Sequence, residues 1–205
     1  MKNPITPEER ARLTARAAIA STAMALILIG MKTWAAIQTA SMAMLGSLAD
    51  SGLDLVASLI VLLGVRVAAQ PADHEHRFGH GKAEALAALV QVILITLSAL
   101  FIAVRSIQRL LSGAETGAAE LGIGVSVIAI MLTIVLITYQ RHVVKRTGSL
   151  AIGTDRLHYS SDLLLNGSVI AALALDQFAG LVGADAVFGL LIAAWLMWGA
   201  CPGCV

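Results

Sequence analysis

Two pairs of residues in this chain combine chemistry with helical spacing. Asp50 and Asp54 fall in Ser47-Leu48-Ala49-Asp50-Ser51-Gly52-Leu53-Asp54, and His158 and Asp162 fall in Asp155-Arg156-Leu157-His158-Tyr159-Ser160-Ser161-Asp162. Residues four apart on an α-helix stack on one face with Cβ atoms ~5 to 6 Å apart, so each pair is spaced to chelate. Both pairs interrupt apolar runs, and an ionised Asp at the centre of a membrane helix costs ~2.5 to 3.5 kcal/mol unless it faces a partner or a wet cavity. Three carboxylates and one imidazole suit a tetrahedral divalent ion at ~2.0 to 2.2 Å. The imidazole favours zinc, iron(II) or a similar borderline ion over magnesium and calcium.

A second set lies in Pro71-Ala72-Asp73-His74-Glu75-His76-Arg77-Phe78-Gly79-His80-Gly81-Lys82, which holds three of the five histidines. Asp73, His76 and His80, spaced by three and four, suit a second metal at a membrane surface, with His74 and Glu75 as further ligands. The plainer reading is a solvated polar loop. Lys82 and Glu84, just after it, read as partners in ordinary surface pairs, and His142, beside the basic cluster Arg141 to Arg146, reads as interfacial. Cys201 and Cys204 form Cys-Pro-Gly-Cys. Two thiolates alone cannot complete a four-ligand zinc site, so they read as a chain-end accident, with a redox or metal role as the lesser alternative.

The elements that must position these residues follow from composition. The chain is 58% hydrophobic and 13% charged, against ~45 to 50% and ~25% in soluble domains, which predicts an all-α membrane protein. Apolar runs at 17–37, 42–69, 83–111, 119–144, 150–175 and 184–200 each approach or exceed the ~20 residues of a spanning helix. The first is too long for the ~7 to 15-residue core of a signal peptide and reads as an uncleaved span. Polar or glycine-bearing breaks separate the runs, including Gln70-Pro71-Ala72-Asp73, Ser112-Gly113-Ala114-Glu115, Arg146-Thr147-Gly148 and the stretch 180–183. Six helices are expected. Lys2, Arg10, Arg12, Arg16, Arg66, Arg77, Lys82, Arg141, Lys145 and Arg146 fall on one side, against Lys32, Arg105 and Arg109 on the other. Both termini are therefore expected to be cytoplasmic. Neither barrel-strand alternation nor an internal repeat is evident. The net charge of +1, with basic residues dispersed, excludes a nucleic-acid surface.

Depth brings the two pairs together. At ~1.5 Å per residue, Asp50 and Asp54 lie roughly 12 and 18 Å from the outer end of the second span, and His158 and Asp162 roughly 12 and 18 Å from the inner end of the fifth. All four reach the midplane of a ~30 Å core, with Asp50 level with Asp162 and Asp54 with His158. The alternative makes each acid an isolated hydrogen-bonding group, with Asp50 bonded to Ser47 and Asp162 to Ser160; two spaced pairs at one depth argue against it. Carboxylates crowded in low dielectric hold protons until a divalent cation displaces them, which implies metal-for-proton exchange. Asp155 and Asn166 extend the same face, as a way in and as outer support. Asp155 also reads as an acid placed near a helix N-terminus.

Asp50-x-x-x-Asp54, Gln70-Pro71-Ala72-Asp73 running on to Phe78-Gly79-His80-Gly81-Lys82-Ala83-Glu84, and Asp155-x-x-His158-Tyr159-x-x-Asp162 together resemble the cation diffusion facilitator family. The likeness is to its bacterial zinc and ferrous-iron efflux branch and covers nearly the whole chain. It implies a homodimeric proton antiporter of the bacterial inner membrane, with no catalytic residues and no resident cofactor. Such a protein exports Zn(II), and often Cd(II) or Fe(II), by alternating access. The resemblance assigns Asp50, Asp54, His158 and Asp162 to the transport site and Asp73, His76 and His80 to a loop site. Lys82 matches a basic residue of a salt-bridge cluster at the dimer interface. Members of that branch usually continue into a cytoplasmic metal-binding domain. The expected organisation here is a cytoplasmic segment (1–16), a six-helix transport domain (17–200) and a remnant (201–205), with that domain and the acidic partner of Lys82 absent.

Two rivals remain at this level. One is a non-transporting metal-binding membrane subunit that associates with a full-length transporter. The other, an intramembrane metalloprotease, lacks His-Glu-x-x-His; only His80-x-x-x-Glu84 spaces a ligand pair.

Overall fold

The computed structural model describes residues 5–39, 42–112, 120–179 and 184–199. Among them are six helices and no strand: α1 (Pro7–Thr39), α2 (Met42–Ala68), α3 (Lys82–Ser112), α4 (Glu120–Thr147), α5 (Leu150–Ala179) and α6 (Ala184–Gly199). The helix starts and stops are local chemistry. Thr6 Oγ1 accepts the Glu9 N–H at 3.2 Å, Pro7 occupies the first helical position, and Glu8 and Glu9 sit in the first turn. These caps carry α1 ten residues upstream of the apolar run at 17–37.

α4 likewise runs past its apolar stretch to Thr147 and stops at Gly148, whose φ of 62° places it in the left-handed region. Its N–H closes on Val144 O at 2.9 Å. Ser149 then caps α5, its Oγ accepting the Ile152 N–H at 3.2 Å. This tight corner fixes where α5 begins, and hence the rotational phase of His158 and Asp162.

Among the described residues, four helical segments are long and apolar enough to cross a membrane: Pro7–Gln38, Asp50–Ala68, Lys82–Gln108 and Val127–Thr147. α5 carries Asp155, Arg156 and Asp162 in its first half. α6 has 16 residues, ~24 Å of helix against a ~30 Å core. The six expected runs therefore appear as six helices, four of which qualify on length and apolarity alone.

α1 packs on α2 and α4, α2 on α3, α4 on α5, and α3 and α5 on each other and on α6. One apolar cluster (Ala17, Ala18, Val61, Leu62, Val65, Ala87, Val143, Ala151, Ile152) joins α1 to α5; a second (Ile95, Ala99, Ile192, Leu196) joins α3 to α6. Small residues allow this close approach: a Cβ at Gly64 would overlap Ala87 across the α2–α3 contact. Large apolar side chains such as Leu86, Leu89, Ile93, Leu97 and Leu100 point outward from α3. An apolar exterior of this kind matches hydrocarbon as the solvent.

One end of the bundle is tied by charge. Arg10 Nη2 donates to both Glu84 carboxylate oxygens, at 3.1 and 3.4 Å, and its Nε to Thr147 O at 3.0 Å. The starts of α1 and α3 and the finish of α4 therefore meet. The last turn of α2 joins them, since Val65, Ala68 and Ala69 line one cavity with Pro7, Arg10 and Glu84. Glu84, expected in a surface pair, is instead buried.

Candidate metal centre

α2 ends, and α5 begins, at this charged end of the bundle, so the two helices run antiparallel where their acids face each other. His158 Nε2 lies 3.0 Å from Asp54 Oδ1 and 3.9 Å from Asp162 Oδ2. Ligand atoms of the three residues fall within 4.8 Å of one another. The antiparallel register thus sets Asp54 against His158, as depth arithmetic suggested. His158 is buried, Asp54 and Asp162 half-buried. Nδ1 of His158 is enclosed and has no hydrogen-bond partner among the described residues, so the ring meets the acids through Nε2.

Asp50, the fourth expected ligand, is exposed and lies outside this group. It precedes Asp54 by one helical turn, about 6 Å of rise. Ser160 does not serve Asp162: its Oγ donates to Arg156 O at 2.8 Å. The Ser47 side chain lies outside what is described. Asn166 turns back to Asp162, but onto its main-chain oxygen, Nδ2 to O at 2.8 Å.

In the loop between α2 and α3, Asp73 organises both histidines. Its Oδ1 accepts the main-chain N–H groups of Glu75 and His76 and lies 3.3 Å from His76 Nδ1; its Oδ2 lies 3.5 Å from His80 Nε2. The His76 main-chain hydrogen bond is the chief reason the Asp73 carboxyl is held below its ordinary value of 3.8. The imidazoles of His76 and His80 are 4.5 Å apart. His80 Nδ1 is 3.2 Å from Pro71 O; a hydrogen on Nδ1 there leaves Nε2 as the coordinating nitrogen. These three residues form the second group with ligand geometry, whereas His74 and Glu75 are exposed and outside it.

The family model for the cation efflux transmembrane domain matches residues 18–203. The chain belongs to the cation efflux family. It is 49% identical over 189 residues to the cation-efflux pump FieF of Salmonella arizonae, covering 92% of this chain and 63% of that protein. It is 48% identical over 190 residues to the FieF pump of Pectobacterium carotovorum subsp. carotovorum, covering 93% and 63%. The FieF pump of Pectobacterium atrosepticum is 47% identical over the same length, with the same coverage. This chain therefore spans about 63% of the length of these curated relatives. The cation efflux family is one of transporters rather than enzymes, and these relatives are named as pumps that export cations.

This cation efflux domain also contains a polar cluster that sequence reasoning missed. Asp155 is fully buried and accepts from Ser21 Oγ at 2.5 Å, Gln91 Nε2 at 3.1 Å and Gln140 Nε2 at 2.7 Å. Tyr159 adds its hydroxyl, donating to Ser21 O at 3.0 Å and meeting Ser58 Oγ at 3.0 Å. Five helices thus meet around one carboxylate. The sequence suggests a way in, or an acid near a helix start, at Asp155; both of its oxygens are instead taken by donors. Gln91 and Gln140, lone amides inside apolar runs, were the available signal. Lys82 and His142 are exposed, and Cys201 and Cys204 lie outside the described residues.

Proposed function

We propose that this protein moves a divalent cation, Zn(II) and also Cd(II) or Fe(II), out of the cytoplasm in exchange for protons, with Asp50, Asp54, His158 and Asp162 as the transport site. The observation that carries this reading is the convergence of Asp54, His158 and Asp162 from two antiparallel helices, with ligand atoms within 4.8 Å inside an apolar bundle. Asp50, one turn away on the same helix face, supplies the fourth ligand when the cation is bound. A set of three carboxylates and an imidazole takes borderline divalent metals. Its ligands must be deprotonated to bind, so metal uptake releases protons, and this is the physical basis of exchange.

Asp73, His76 and His80 collect the cation at the loop. The six helices all cross the bilayer, with both termini in the cytoplasm, and the protein works as a homodimer in the bacterial inner membrane. Its relatives carry the printed name of cation-efflux pumps, which supports the direction of transport. The test is reconstitution: in proteoliposomes with a trapped pH dye, Zn(II) on the loop side drives proton movement. Purified dimers that bind Zn(II) yet move neither metal nor protons would instead identify a binding subunit.

A further inference from the structure

A lysine on a membrane helix normally bends its ammonium toward the headgroups. Lys32 of α1 does not. It lies 11 residues beyond Ser21, ~16 Å farther from the charged end of the bundle, and its Nζ donates to Ser51 Oγ on α2 at 2.6 Å. Ser51 is fully buried. It follows Asp50 directly and precedes Asp54 by three residues, so Ser51 and Asp54 share a face. The ammonium is therefore held about one turn from the metal centre, at the residue that directly follows Asp50. Arg105 of α3 instead stacks on its own helix, with its guanidinium 5.1 Å from the Phe101 ring centroid.

Charge arithmetic states what a fixed cation does here. Asp50, Asp54 and Asp162, deprotonated as ligands, carry three negative charges; Lys32 leaves two, which one divalent cation neutralises. Without Lys32, a bound divalent ion leaves one uncompensated carboxylate in low dielectric, and the site holds its cation more tightly. We infer that Lys32 is a tethered countercation of the transport site, which tunes its affinity to divalent ions and speeds their release. This rests on the transport-site reading above.

The test uses the full chain in nanodiscs and proteoliposomes, in a His80→Ala background so that the loop site does not titrate. Lys32→Gln should bind Zn(II) on the order of a hundredfold more tightly by calorimetry, from unit charges a turn apart at an effective dielectric near 20. It should also lower both KM and kcat for Zn(II) transport, as expected when release slows. Lys32→Arg keeps the charge and should stay within about threefold of the parent. Ser51→Ala, which removes the hydroxyl that accepts from the ammonium but keeps the charge, should tighten binding less than Lys32→Gln. Unchanged or weaker affinity in folded Lys32→Gln overturns the inference, as does Lys32→Arg behaving like Lys32→Gln. Asp54→Ala in the same background separates the two failures: if it still binds Zn(II) as the parent does, the transport-site reading itself is wrong.

Discussion

Two polar clusters lie a helical turn apart on α5 and share the same residue type, yet they are built in opposite ways. Around Asp155, donors from α1, α3 and α4 satisfy both carboxylate oxygens. Around His158, the carboxylates of Asp54 and Asp162 crowd one imidazole nitrogen. The supply of donors separates them, as does burial, which is complete at Asp155 and partial at Asp54 and Asp162. A buried carboxylate with enough N–H and O–H partners staples helices together. Ligand atoms grouped around too few donors have a use for a cation.

The largest break in this comparison comes from Asp54→Ala, which should abolish calorimetric Zn(II) binding at the intramembrane site and with it transport; transport at parental rates would sink the assignment. Asp155→Ala is expected to act on stability instead. It leaves Ser21, Gln91 and Gln140 without their shared acceptor, a loss on the order of 2 kcal/mol. Denaturant unfolding in detergent measures that loss, while Zn(II) affinity should move less than about threefold. A well-folded Asp155→Ala that loses metal as Asp54→Ala does would erase the distinction.

Smaller effects sharpen it. His158→Asp makes the ligand set all oxygen and should shift preference from Zn(II) toward Mn(II) by about tenfold in a competition assay; an unchanged metal ranking counts against His158 as a ligand. At the exposed loop, His76→Ala should weaken metal binding several-fold and leave the intramembrane site intact, which paired calorimetric transitions would resolve.

The smallest expected effect is on acid titration of the loop itself. Because the ionised form of Asp73 is held by the His76 N–H, its folded value lies below 3.8. The turn's stabilisation is therefore fully present above 3.8 and lost as pH falls through that depressed value. The His76 amide NMR shift should titrate with a midpoint below 3.8; a midpoint at or above it would contradict the hydrogen bond.

Much of the fold was legible because its signals are local. Apolar runs of spanning length, Arg146-Thr147-Gly148 as punctuation, and the four-residue spacing of each chelating pair depend only on near neighbours. The helices extend beyond the apolar runs where caps outlast them, at the start of α1 and the finish of α4. Asp54, His158 and Asp162 could be paired by depth, since rise per residue is constant. Asp50 could not be separated from them by that arithmetic, because rise says nothing about side-chain direction across an interface.

By itself, then, the sequence determined the residue types, their helical phase, the loop motif and the apolar character of the bundle. Tertiary structure alone decided which faces meet. Asp155 finds its partners 134, 64 and 15 residues away, and Lys32 turns inward to a hydroxyl 19 residues on. Helical periodicity fixes the face on which a side chain lies. What waits opposite that face depends on how several helices pack at once, and no local pattern records it.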